Sequence, residues 1–166
     1  SSPIMLEHLY TNSSKILDST DALDINNIPE NLLIIGGGYI GLELGSVYHS
    51  LGSNITVAEF LPELLSMADK DLVKPLFKKL NDNFKNIYLS TEVIKIDHVD
   101  NKVIAHLKNK AKTFTEPFDA ILICVGRKPN TSNLDLDKAG ITTDKNGIIK
   151  VNSQRRTMIP NIYAIG

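Results

Sequence analysis

Residues 32–45 read LLIIGGGYIGLELG: four aliphatic residues, three glycines in a row, then a helix-like pattern. The aliphatic run is bounded by glycine and shows no polar alternation. That is the form of a strand buried on both faces of a parallel sheet. From Tyr39 the spacing turns helical: Ile40, Leu44, Val47 and Leu51 share one face, and Gly52 is placed to end the helix. Residues 55–60, ITVAEF, are β-branched and apolar and predict a second buried strand. Together they make a βαβ unit of about 30 residues, the length such a unit needs.

Gly36 to Gly41 satisfies G-x-G-x-x-G, a weak signal alone but one that lies here between a strand and a helix. Gly36 permits the tight turn, Gly38 lets the backbone approach a pyrophosphate, and Gly41 lets the helix press onto the strand. Free N–H groups and the helix dipole at this end favour anionic phosphates. Leu42 and Glu43 follow Gly41, so the lysine and hydroxyl of a Walker-type loop are missing. Glu59 lies 18 residues beyond Gly41, at the end of the second strand. A carboxylate there can accept from an adenosine ribose 2′-OH and repels a 2′-phosphate, which predicts NAD over NADP. The competing reading is a surface glutamate at a strand end.

Further along, Leu72, Leu76 and Leu80 space a helix over residues 69–81. Pro75 is tolerated only in a first turn, so the helix either starts late, with Asp71 near its N-cap, or kinks. Residues 86–91 predict a third strand. Residues 93–99, 101–107 and 113–118 then predict an antiparallel meander, and residues 120–126 a buried strand. The expected fold is α/β: a Rossmann-like domain whose parallel sheet has an antiparallel β-meander in place of a crossover helix. The ends have a different character. Residues 1–28 show no sustained period beyond a helix-like piece near 14–23, and read as a lead-in. The tail offers a helical turn at 133–139, a hairpin around Asn146-Gly147 and a last strand at 162–165.

The 166 residues are 42% hydrophobic and 22% charged, and they carry a net charge of −1, so no nucleic-acid or membrane-surface footprint is present. The basic stretch from Lys108 to Lys112 has the form of a solvated loop. No apolar run approaches the roughly 18 residues of a membrane span. The single cysteine, Cys124, lies in an apolar run; it forms no intramolecular disulfide and fits a reducing compartment. No metal-ligand spacing and no catalytic constellation appear.

The stretches IGGGYIGLELGSVYHSLGSNITVAEFLPELL, STEV, ICVGRKPNT and RTMIPNIYAIG run in this order from residue 35 to 166. In them the sequence resembles the central NAD domain of the FAD-dependent pyridine nucleotide–disulfide oxidoreductases, and most closely their dihydrolipoamide dehydrogenase branch. The resemblance implies that Gly36, Gly37, Gly38, Tyr39, Ile40, Gly41 and Leu42 form the pyrophosphate loop and helix start. It places Glu43, on the first helical turn, toward the nicotinamide and a flavin, and Tyr39 where some relatives have an aromatic lid. Val93 would offer backbone contact to adenine, and Gly126 would admit the nicotinamide ribose. The implied cofactors are NAD and, in the parent enzyme, FAD.

The family's FAD-binding glycine motif, redox-active C-x₄-C and His–Glu pair belong to parts of the parent that this stretch does not include. Residues 1–28 and 130–166 would be pieces of the FAD domain, and residues 29–129 the NAD domain. Their unpaired edges would lead to disorder, to collapse of the two ends onto each other, or to strand exchange. Implied partners are NAD(H), the FAD and dimerisation domains of a homodimeric parent, and components of 2-oxo acid dehydrogenase or glycine cleavage complexes. The implied compartment is the cytoplasm, or the mitochondrial matrix in a eukaryote. A mercuric reductase, a soluble transhydrogenase or a stand-alone NAD-sensing module would carry much the same stretch.

Overall fold

In the computed structural model, which describes residues 1–9 and 13–165, the glycine-bounded run is a central strand with both faces covered. The strands are β1 (Ser2–Pro3), β2 (Ile16–Leu17), β3 (Asn31–Ile35), β4 (Asn54–Ala58), β5 (Asn86–Tyr88), β6 (Glu92–Val99), β7 (Lys102–Lys108), β8 (Thr113–Phe118), β9 (Ala120–Ile123) and β10 (Arg127–Lys128). Helices α1 (Tyr39–Ser50) and α2 (Lys70–Asn83) follow β3 and β4 respectively. Residues 3–126 form one compact unit, and residues 1–2 with 127–166 form another.

In the larger unit, five strands pair in the order β2-β9-β3-β4-β5, every pair parallel. Strands β6, β7 and β8 form a separate antiparallel sheet, with a register shift between Val93 and Lys95. The β3 side chains alternate between two cores. Leu33 and Ile35 meet the meander residues Val103, Ala105 and Leu107, while Leu32 and Ile34 meet Leu42, Tyr48, Leu80 and Phe84 of the helical layer. Leu32, Leu33 and Ile34 are fully buried, and each such burial contributes about 1.5–3 kcal/mol. The meander thus covers the sheet face that a crossover helix would otherwise take.

Three local expectations differ from what the chain does. The expected aliphatic face of α1 turns only partly inward: Leu44 packs against the core and Ile40 is half-buried, but Val47 and Leu51 are 45% and 48% exposed, whereas Gly41, Gly45 and Tyr48 are buried. Helix and strand lie so close that a Cβ on Gly45 would sit 2.6 Å from Ile34 Cδ1. Glycine gives that separation without displacing the Ile34 side chain, so the face packed closest to the strand is marked by small residues. In α2, the helix starts at Lys70, neither late nor broken, and Pro75 is its sixth residue. The carbonyl this leaves unbonded belongs to exposed Asp71, where water can satisfy it. The packed face of α2 is Val73, Leu76, Phe77 and Leu80, while Leu72 is 68% exposed.

The lead-in also joins the core. Ile16 and Leu17 align with Ile121 and Leu122 as an edge strand, and the Ile121 N–H donates to the Lys15 carbonyl at 2.8 Å. Leu9, Ile16 and Ala22 are buried, and the Tyr48 hydroxyl donates to the Ala22 carbonyl at 3.0 Å. The free edge of β9 supplies the partner that made this extended piece stable. Part of the segment where a helix-like piece was expected is therefore β2, followed by a 3-10 turn at Asp21–Leu23.

In the smaller unit a 3-10 turn spans Leu136–Ala139, and a bridge between Thr143 and Ile149 closes the turn containing Asn146 and Gly147. The strand expected at 162–165 reduces to one bridge, Tyr163 with Arg156, and Ile165 is 89% exposed. Gly166 lies outside the described residues. No helix among the described residues is long and apolar enough to cross a membrane.

Candidate functional site

The carboxyl ends of β9, β3 and β4 lie side by side, and the segments leaving them converge. Leaving β3, Gly36 turns at φ +108, a left-handed value that favours glycine, and its missing Cβ would lie 2.4 Å from the Cys124 carbonyl oxygen beyond β9. The Gly36 N–H donates to the Ala58 carbonyl at 2.9 Å, which ties the turn to the end of β4. Gly41 is pressed against the same turn: a Cβ there would lie 2.5 Å from the Gly36 carbonyl oxygen and 3.0 Å from Ile34 Cγ2.

Gly38 stands apart from these. It is the N-cap of α1, with φ −81 and ψ 174, a conformation any residue adopts, and nothing lies within 4 Å of where its Cβ would be. At that position serine, aspartate or asparagine caps a helix better than glycine does. Neither conformation nor packing within the chain calls for glycine there. The open space lies against the start of α1, where Leu42 is the first helical N–H to reach a carbonyl, that of Gly38 at 3.1 Å. The N–H groups of Tyr39, Ile40 and Gly41 precede it and have no intrahelical partner. A cradle lined by backbone donors at a helix start suits a phosphate.

Glu59 follows β4 and is half-buried. Its Oε2 accepts the Gly37 N–H at 2.5 Å, and its Oε1 accepts the Leu61 N–H at 2.7 Å. The structure therefore brings together Gly36, Gly37, Gly38, Gly41 and Glu59. Each carboxylate oxygen still has a lone pair for a hydroxyl donor. The residues present fit a dinucleotide: an open backbone cradle, and an oriented carboxylate at the end of the next strand.

Of the other expected residues, Tyr39 opens α1 and is 63% exposed, Ile40 is half-buried and Leu42 is buried in the helical core. Glu43 is exposed, but it is the fifth residue of α1 and so lies just past the first turn, not on it. Val93 is 4% exposed with its side chain in the meander core, which leaves only its backbone to meet a ligand. The approach to it is held near Glu59: the Thr91 N–H donates to the Glu59 carbonyl and the Ser90 N–H to the Leu61 carbonyl, both at 2.9 Å. Gly126 is exposed at φ +133, and its carbonyl accepts from the Ile4 N–H at 3.0 Å. Cys124, beside the loop, is held protonated: burial first, and then the Asp18 carboxylate, push its thiol up to about 12.

Two contributors escaped the motif reading. The Leu61 N–H orients Glu59, and the buried Leu64 side chain packs beneath Gly37, where a Cβ would lie 2.4 Å from Leu64 Cδ2. Their only mark in the sequence is their place after Glu59 in EFLPELL. Among the described residues no cluster of His, Cys, Asp or Glu has the arrangement of a metal site.

Comparison with known proteins places the chain in a family. Residues 4–166 match the family described as pyridine nucleotide-disulphide oxidoreductase. The dihydrolipoyl dehydrogenase of Vibrio cholerae serotype O1 is 44% identical over 167 residues, covering 100% of this chain and 35% of the relative. The mitochondrial dihydrolipoyl dehydrogenase of Dictyostelium discoideum is 39% identical over 165 residues, with 97% of this chain and 34% of the relative covered. Among solved structures, the HOCl-induced flavoprotein disulfide reductase RclA of Escherichia coli superposes with a TM-score of 0.83 at 31% identity, over 99% of this chain and 37% of that one. The chain thus spans about a third of the length of the relatives it matches. With a whole-chain family match, a shared fold and the glycine loop in its strand–turn–helix setting, the chain belongs to the pyridine nucleotide-disulphide oxidoreductase family.

Proposed function

We propose that this chain is the NAD-binding portion of a dihydrolipoamide dehydrogenase and that it holds NAD(H) across the carboxyl ends of β3, β4 and β9. The observation that carries this reading is Gly38, a glycine required by neither backbone angle nor neighbour, standing at the mouth of a helix start. The pyrophosphate takes the backbone donors from Gly38 to Gly41, and the adenosine ribose hydroxyls donate to Glu59. Val93 lines the adenine end with its backbone, while Gly126 and Glu43 line the nicotinamide end. When bound, the nicotinamide supplies a two-electron hydride acceptor for a flavin carried elsewhere in the parent chain. The contribution of these residues is binding and orientation, and lipoamide turnover is not expected from them alone. FAD, the dimerisation domain and the 2-oxo acid dehydrogenase or glycine cleavage assemblies are partners of the parent.

A second reading follows from the likeness to a flavoprotein disulfide reductase at 31% identity: the same nucleotide role in a reductase with another disulfide or metal substrate. The segment carrying the redox-active cysteines separates the two. The nucleotide role is tested by titrating the chain with NADH and NADPH while following NADH fluorescence. NADH binds in preference to NADPH, and Gly38→Ser weakens it at least about tenfold while leaving the fold intact, because serine caps the helix but fills the cradle. Preference for NADPH, or NADH binding undiminished by Gly38→Ser, would refute the assignment.

A further inference from the structure

The Glu59 carboxylate accepts two backbone N–H bonds, one from 22 residues back in the glycine loop and one from two residues ahead. Oε2 takes the N–H of Gly37, the middle residue of the glycine loop, and Oε1 takes the N–H of Leu61. The Gly37 carbonyl in turn accepts the Leu65 N–H at 3.0 Å. Gly37 is buried, so its N–H needs an acceptor within the protein, and Glu59 supplies it. The loop is thus fixed at successive points: Gly36 to the Ala58 carbonyl, Gly37 to the Glu59 carboxylate, and Gly38 as the cap of α1.

We infer that Glu59 is a latch as well as a ribose ligand: it holds the glycine loop in its phosphate-receiving shape before the nucleotide arrives. The effect on binding rests on the NAD reading above, whereas the latch itself rests on the bond between Gly37 and Glu59. One carboxylate then serves both ends of adenosine diphosphate recognition. Charge alone would not satisfy it. Two backbone N–H groups converge on two carboxylate oxygens, and a glutamine has one carbonyl oxygen and one NH₂, so one of the two donors would face another donor. Exchanging Glu59 to favour NADP would therefore disturb the loop as well as the ribose contact.

A glutamate that only bound ribose would matter only to ligands carrying those hydroxyls. The test compares the wild-type chain with Glu59→Gln and Glu59→Asp, the latter keeping the charge but one methylene too short to span both donors. Binding is measured by calorimetry with NADH and with NADH whose adenosine ribose is 2′,3′-dideoxy. Amide hydrogen exchange is followed by NMR without ligand. The wild-type Gly37 and Leu61 amides exchange slowly. Both variants accelerate the two sites at least about tenfold, while Gly36 and Thr91, bonded to backbone carbonyls, stay protected and report an intact fold. The dideoxy analogue also binds each variant about tenfold more weakly than it binds wild type. Fast exchange at Gly37 in the wild type, or variants that lose affinity for NADH but none for the analogue, would overturn the latch. A wild type that binds neither nucleotide overturns the NAD reading instead, and the exchange data then judge the latch alone.

Discussion

Gly41→Ala puts the packing of α1 on β3 to a quantitative test. The added methyl would sit 2.5 Å from the Gly36 carbonyl oxygen and 3.0 Å from Ile34 Cγ2, where ordinary contact begins at 3.4 Å. The nearer obstacle is backbone, and its residue is itself tied to the Ala58 carbonyl, so no rotamer change relieves it. Helix and turn must separate by several tenths of an ångström. Overpacking of this kind costs about 1–3 kcal/mol, and a clash with fixed backbone belongs near the upper end. Alanine returns up to about 1 kcal/mol of helix propensity, which leaves a net loss of about 2 kcal/mol. With a urea slope near 2 kcal/mol/M, the midpoint falls by about 1 M. The assay is urea unfolding followed by far-ultraviolet circular dichroism, with Gly38→Ser as the comparison. That variant has open space and a better cap, so its midpoint equals or exceeds that of the wild type. A Gly41→Ala midpoint within 0.2 M of wild type would refute the close approach, and with it the geometry assigned to the loop.

Three further outcomes follow from single residues. Burial, then Asp18, push the Cys124 thiol up to about 12 from 9.0, so the unfolded chain loses this proton first as pH rises. Stability from Cys124 is fully present below about pH 9 and declines between there and pH 12; the urea midpoint at pH 10 should lie below that at pH 8, with a shallower fall in Cys124→Ala. Pro75→Ala restores an N–H for the Asp71 carbonyl in the second turn of α2 and should stabilise the chain by about 1–2 kcal/mol, offset in part by a freer unfolded state, as read by thermal unfolding. Tyr88→Phe removes the 2.6 Å hydroxyl bond to Glu116 but keeps the edge contact with Phe114. It should cost about 1 kcal/mol in the same assay and remove from the ultraviolet pH titration a phenol that burial and then Glu116 push up to about 12.

The parts of this molecule that were legible in its sequence are those set by local chemistry. An uninterrupted aliphatic run has no polar face to turn toward water, so β3 and β9 had to be covered on both sides. Three glycines between such a strand and a helical period specify a turn whose backbone can be approached, and Glu59 stands at the end of the next strand because β4 is five residues long. Alternation and turn residues likewise announced the meander, with Asp100 at φ +51 where β6 gives way to β7.

What tertiary structure alone decided is which surfaces meet. The helical period of α1 marks its aliphatic face, yet the sheet took the face of Gly41, Gly45 and Tyr48, because contact energy depends on how near two backbones can come and not only on hydrophobicity. The short piece Ile16–Leu17 has too few residues to signal a strand, and it became one because β9 had an unpaired edge. The bond from Gly37 to Glu59 spans 22 residues, and no spacing rule reveals it. The sequence names a loop and a carboxylate; folding β3 against β4 brings the carboxylate within hydrogen-bonding reach of the loop, and that proximity makes the two a single site.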